Sequence, residues 1–336
     1  MQTTEEESPI ADIRHSPQRK AAIVSGKGTD YAGDVYIVPI SNFDLNKTIF
    51  STVEGALPRM VMEAKIAKEV RWNDDVQARI DADYERVGQR VDLPSLDAAL
   101  ISFMEKECDF SMEHADGSFL EHLYFCYEYS FHHFPSYSPK VMFLHSILGT
   151  ATNTFAMKAV QIPDLAVFLD DFELLHISAF PSIFRLIGTW RLLEELTANL
   201  SRLDRLSSIS FFRVIDNEPM RMKAEDLWIH LNYQLMHYVD FLPTANWSFH
   251  ASDPLLQSFR ALSVFLDRAE KRMAKVDCMF PQAGHFFSRP QKETLSFGGH
   301  VSSVIPAFLK RRLSEKALRR FSAKINHDLS YQLHFD

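Results

Sequence analysis

Residues 140–149, Lys-Val-Met-Phe-Leu-His-Ser-Ile-Leu-Gly, constrain the fold more than any other stretch of the chain. Val141, Met142, Phe143, Leu144, Ile147 and Leu148 leave a helix there with almost no polar face. Such a helix must be enclosed by others, and segments of helical period stand on both sides of it. Residues 118–134 read as a helix closed by Pro135, and Ser138-Pro139 then supplies a cap and a first helical residue. Pro163 opens a further helix, with Leu165, Phe168, Leu169, Phe172 and His176 on one stripe. Residues 182–200 make the next, with Leu192, Leu193, Leu196 and Leu200 inward. Residues 224–242 are helical again and stop at Pro243, and Asp253-Pro254 caps a helix to about Lys275.

The expected fold is all-α with a small inserted β-hairpin, read from Ile209, Phe211, Val214 and Ile215 before the turn Asp216-Asn217-Glu218-Pro219. Phenylalanine is frequent and glycine scarce, 27 against 11, which favours a thick core over a loop-rich scaffold. The helical core is placed at residues 95–275, with Ser95 capping its first helix. Residues 1–30 read as a polar leader and 31–94 as an extension packed on the core, with an edge strand at 34–40. Residues 276–302, rich in Pro and Gly, read as a loop or lid, and 303–336 as a basic amphipathic helix and tail.

A net charge of −8 disfavours bulk nucleic-acid binding, which needs concentrated positive charge. Cys108, Cys126 and Cys278 show no CxxC spacing and read as reduced thiols, two of them core residues. No window approaches the roughly 18 apolar residues of a membrane span, and the amino-terminal stretch carries no apolar signal. A cytoplasmic protein is expected.

Histidines carry the chemistry. His122 sits early on one helix and His145 near the end of the next, across a short Pro-containing turn that makes the helices antiparallel neighbours. Two imidazoles can then meet as metal coordination requires. Asp226, His230, Tyr233, His237 and Asp240 follow at steps of four, three, four and three, one face of a helix. Asp240 lies among apolar neighbours, where a carboxylate needs a partner or a cation. The bland alternative is that each histidine is a core residue whose ring nitrogens meet a carbonyl or hydroxyl. His132-His133 closes a helix, where imidazolium suits the dipole.

The pattern His114, Gly117, Leu120, His122, then Leu144-His145-Ser146, resembles the HD-domain superfamily over residues 110–245, and within it a subgroup with His-Ser in place of His-Asp. The resemblance implies an HD-like helical bundle holding a divalent metal, iron or manganese before zinc, through His122, His145, His237 and Asp240. His114, His176, Asp226, His230 and Tyr233 are further candidates. It implies a metal-dependent enzyme acting on a small molecule, either a hydrolase or an iron-dependent oxygenase. Ser146 stands where the superfamily has its aspartate, and a hydroxyl cannot bridge two ions, which points to a mononuclear site. The alternative is a non-catalytic ligand-binding or interaction module that has lost the metal. The polar loop after His145 offers Thr150 and Asn153 as substrate contacts.

Between residues 305 and 325, Ile305, Phe308, Leu309, Leu313, Ala317 and Phe321 form an apolar stripe flanked by many basic residues. Packing that stripe on the core is the commoner arrangement. Lying on an anionic membrane surface or in a partner's groove is the other.

Overall fold

A computed structural model describes residues 44–65, 95–110, 119–241, 253–276 and 304–336, with positions 78, 81, 82 and 85 between them. The described chain is mostly helical with one small antiparallel sheet. Helices α1 (Ala56–Lys65), α2 (Ala98–Glu107), α3 (Phe119–His133) and α4 (Lys140–Leu144) come first. They are followed by α5 (Ile162–Ala166), α6 (Asp171–Gly188) and α7 (Arg191–Ala198). Strands β1 (Leu206–Phe212) and β2 (Pro219–Lys223) form the hairpin, and α8 (Ala224–Phe241), α9 (Pro254–Arg268), α10 (Ala307–Lys324) and β3 (Gln332–Phe335) complete the chain.

Helix α8 is the hub, packed against α3, α6, α9 and both hairpin strands. It is buried almost all round, with Leu227, Leu231, Leu235 and Val239 sharing the interior with His230, Asn232, Gln234 and His237. Each buried polar group then needs an internal partner. Asn232 shows how the need is met. Its amide donates to the Trp228 and Lys271 carbonyls, and its oxygen accepts from the Met273 and Ala274 N–H groups. The all-apolar helix is buried as its composition requires, with Val141, Met142, Phe143 and Leu144 all under 2% exposed.

Several boundaries differ from the sequence reading. The helix start read at residue 182 lies instead at Asp170, where a capping box forms: Asp170 accepts from the Glu173 N–H at 2.7 Å and its own N–H reaches the Glu173 carboxylate at 3.2 Å. Pro181 stays inside α6, whose burial offsets the one helical hydrogen bond that proline cannot donate. Trp190, with φ at 68°, separates α6 from α7. Asp97, not Ser95, caps α2, because its carboxylate accepts from the Ala99 N–H at 2.8 Å. Helix α9 ends at Arg268, short of Lys275, where Glu270 turns left-handed.

The hairpin forms where expected, in register Ser210 to Arg221, but the sheet has a third member. Strand β3 pairs antiparallel with the other edge of β1, giving the order β2-β1-β3, so residues 332–335 belong to the core and are not a loose tail. Helix α10 packs through Leu318, Phe321 and Ser322. Gly188 makes room for it, since a Cβ there would lie 2.6 Å from the Leu318 side chain. Phe308, Leu309 and Leu313 point outward at 64%, 40% and 52% exposure, against the packed stripe taken as commoner from the sequence. The leader, the strand at 34–40 and the loop at 277–302 lie outside the described residues.

Candidate metal centre

The turn joining α3 to α4 is fixed from two sides. The Tyr233 hydroxyl of α8 donates to the Ser138 carbonyl at 2.8 Å. At the mouth of α4, Ser138 and Lys140 both bind the buried Glu173 carboxylate of α6, at 2.6 and 2.9 Å. These anchors set α3, α4, α6 and α8 around one space. His122 enters it from the first turn of α3, His145 from just beyond α4, and His237 from near the end of α8. All three are buried, at 4%, 0% and 6% exposure.

Their geometry is close. The His145 Nδ1 lies 2.6 Å from the Met142 carbonyl, so it carries the hydrogen, and the Nε2 lone pair is left pointing inward. That Nε2 lies 3.1 Å from the His122 Nε2. Two nitrogens bound to one ion at about 2.05 Å sit about 2.9 Å apart at a right angle and about 3.3 Å apart at the tetrahedral angle. The spacing therefore matches one edge of a coordination shell. It also matches an ordinary hydrogen bond. The His237 ring stands edge-on to both, its centre 4.5 Å from that of His145 and 5.2 Å from that of His122.

Cys126 lies one helical turn below His122, its Sγ 3.9 Å from the His122 Nδ1. His122, Cys126 and His145 offer ligand atoms all within 4.8 Å of one another, and could hold a metal ion. Cys126 was read from the sequence only as one of three reduced thiols. The signal for it is the step of four from His122, which places both on one helix face.

The polar face of α8 serves two centres, not one. His230 and Tyr233 lie one to two turns before His237 and meet His176 of α6. The Gln234 amide donates to the Phe180 carbonyl at 3.0 Å and to the His230 Nε2 at 3.1 Å. His230 must then carry its hydrogen on Nδ1 and donate it to the His176 Nδ1 at 3.0 Å. His176 is left with its N–H on Nε2, buried with no acceptor among the described residues. Burial pushes the His176 pKa down to about 3 and holds His230 well below the ordinary range, with His176 as a second cause. Both rings are neutral. Asp226 is half-buried at the start of α8, eleven residues or about 16 Å from His237, so it is not a ligand of this centre. Burial raises its carboxyl pKa, against the opposing pull of Lys223. Asp240 falls on the last turn of α8 with its side chain outside the described residues, as does all of His114.

An apolar pocket opens onto the centre. His122, His237 and Ser146 line it with Phe119, Phe180 and Phe184, and its cavity volume is about 90 Å³. One water needs roughly 10–15 Å³, so the space suits a small molecule. Thr150 lies on its wall. Asn153 does not. Its amide donates to the Phe321 carbonyl and its oxygen accepts from Arg185, which makes it a strut for the loop and not a substrate contact. Arg185 is fully buried with no carboxylate partner among the described residues, and burial lowers its pKa to about 9. It is held by the Thr150 carbonyl, Asn153 and the Ser322 hydroxyl. Sequence reasoning missed it, because an arginine inside a helical segment reads as surface.

No protein-family model matches this chain, and neither a curated protein nor a solved structure was found to match it.

Proposed function

We propose that this chain is a metal-dependent enzyme acting on a small, largely apolar molecule, with the ion held by His122 and His145. The observation that carries the reading is the Met142 carbonyl. By fixing the hydrogen of His145 on Nδ1, it presents Nε2 as a ligand 3.1 Å from the His122 Nε2, the orientation that outer partners impose on metal-binding histidines. Cys126 or His237 would complete the set, and an HD-like ancestry of the bundle is part of the same proposal. An ion there would supply Lewis acidity and, with an open position, a bound water of lowered pKa.

The chain's own residues favour a particular use. Phe119, Phe180 and Phe184 exclude water, while the hydroxyls of Ser146, Thr150 and Thr152 are the polar side-chain groups beside the histidines. No lysine, arginine or carboxylate lines the pocket among the described residues, so a phosphoester has nothing to neutralise it there. Oxygenase-type chemistry on a neutral organic substrate fits better than phosphoester hydrolysis. Two imidazoles with a thiol suit zinc, copper or iron and disfavour manganese. Neither Cys108 nor Cys126 forms a disulfide, and no described helix is long and apolar enough to cross a membrane. Both features fit a cytoplasmic setting.

Elemental analysis of the purified protein tests the reading. About one metal ion per chain is expected, lost in His145→Ala and His122→Ala while circular dichroism stays helical. The rival is a non-catalytic protein in which His122 donates its hydrogen to His145 and no cation is needed. Absence of metal after reconstitution with zinc, iron and copper would establish the rival.

A further inference from the structure

Among the described residues, the outward face of α10 carries side chains that make no hydrogen bond or ion pair, although Arg320 lies near enough to Glu54 to help lower its pKa. Phe308, Arg312, Lys316 and Arg320 follow at steps of four and share that face, with Leu309 and Leu313 beside them. The three apolar residues are 40–64% exposed, Val304 just upstream is 78% exposed, and Arg312, Lys316 and Arg320 are all exposed. Among the described residues none of those three cations has an ion-pair partner, whereas Arg311, Arg319 and Lys324 are bound to Glu194, Glu315 and Glu54. The single acid of the helix, Glu315, is the one spent on Arg319. The buried side of α10 is a different one, carried by Leu318, Phe321 and Ser322. The exposed apolar residues are therefore not the helix's core-facing set.

We infer that this face binds an anionic lipid surface, with Phe308, Leu309 and Leu313 entering the headgroup layer and Arg312, Lys316 and Arg320 resting on lipid phosphates and carboxylates. Charge complementarity selects the occupant. A chain of net charge −8 presents here a strip without a free acid, and only a negative surface gains from meeting it. The shape selects lipid over a protein groove. Its apolar residues gather at one end of the helix and its cations are strung along the rest, which a deformable headgroup layer accommodates without a matching cleft.

The test is co-sedimentation of the full chain with phosphatidylcholine vesicles, with and without phosphatidylserine. The protein should sediment with the phosphatidylserine vesicles alone, and less as salt rises. Each basic side chain near such a surface contributes about fivefold to the partition, so Arg312→Gln, Lys316→Gln and Arg320→Gln together should lower it on the order of a hundredfold. Phe308→Ser with Leu313→Ser should lower it about tenfold or more. All five positions are exposed, so unchanged thermal unfolding certifies the fold of both variants. Equal sedimentation with neutral vesicles, no sedimentation, or an unaltered triple variant would each overturn the inference. Capture of poly-glutamate without vesicle binding would also overturn it, in favour of an acidic protein partner.

Discussion

Acid is the sharpest probe of the buried His176–His230 pair. The His176 ring is held at a pKa of about 3, against 6.5 for an ordinary histidine. Above pH 6.5 the ring is neutral in both folded and unfolded chains, so pH has no leverage through it. Below pH 6.5 the unfolded chain takes up a proton that the native ring refuses until about pH 3. Stability then falls with pH by about 1.4 kcal/mol per unit. By pH 4.5 the loss through His176 alone is about 3 kcal/mol, a large share of a typical total of about 5–15 kcal/mol. His230 is displaced in the same direction and adds a loss of the same sign. His176→Asn keeps an acceptor for the His230 N–H and removes the titrating group. Urea unfolding of both proteins near pH 7.5 and near pH 4.5 makes the comparison, with the histidines outside this pair cancelling and His230 relieved of its second cause in the variant. The stability difference should move by about 3 kcal/mol in favour of the variant as the pH drops. An unchanged difference would refute the reasoning, because it would mean that native His176 accepts the proton as readily as the unfolded chain does.

Two more outcomes follow from the same geometry. Ser146→Asp should tighten metal binding or admit a second ion, because an anionic ligand would enter the wall beside His122; titration with iron or manganese reads it, and equal stoichiometry and affinity would count against it. Arg185→Met should cost about 3 kcal/mol in urea unfolding, since the Thr150 carbonyl, Asn153 and Ser322 all lose their donor. A loss below about 1 kcal/mol would show that water or the loop itself replaces the guanidinium.

The helices and the meeting of His122 with His145 were legible because two prolines bound a short turn between apolar segments, and a short turn leaves antiparallel neighbours little choice. His237 was legible because a polar stripe on a helix of apolar flanks has to find partners inside. That half of this stripe would go to His176 was not legible, because the choice depends on how α6 runs past α8. The long α6 itself was hidden because a new helix was started at residue 182, although Asp170 and Glu173 spell its true start. Cys126 was passed over since a lone thiol carries no pattern until its neighbour is known. The outward turn of Phe308, Leu309 and Leu313 could not be read from α10 alone. Leu318 fits beside α6 only because Gly188 lacks a side chain, and that contact decides which face goes in.

Strand β1 has one neighbour close in sequence and another far away: Ser210 pairs with Arg221 on one side and with Gln332, more than a hundred residues downstream, on the other. Closing a loop of that length costs about 4 kcal/mol of chain entropy, about twice what the hairpin costs. The hairpin and α8 can thus assemble locally while the second edge of β1 waits. During that interval a row of backbone N–H and C=O groups, with Ile209 and Phe211 on its faces, stays open to any strand that arrives first. In a concentrated solution that strand can come from another molecule. The refolding yield of this chain is thereby tied to its concentration through the four residues of β3.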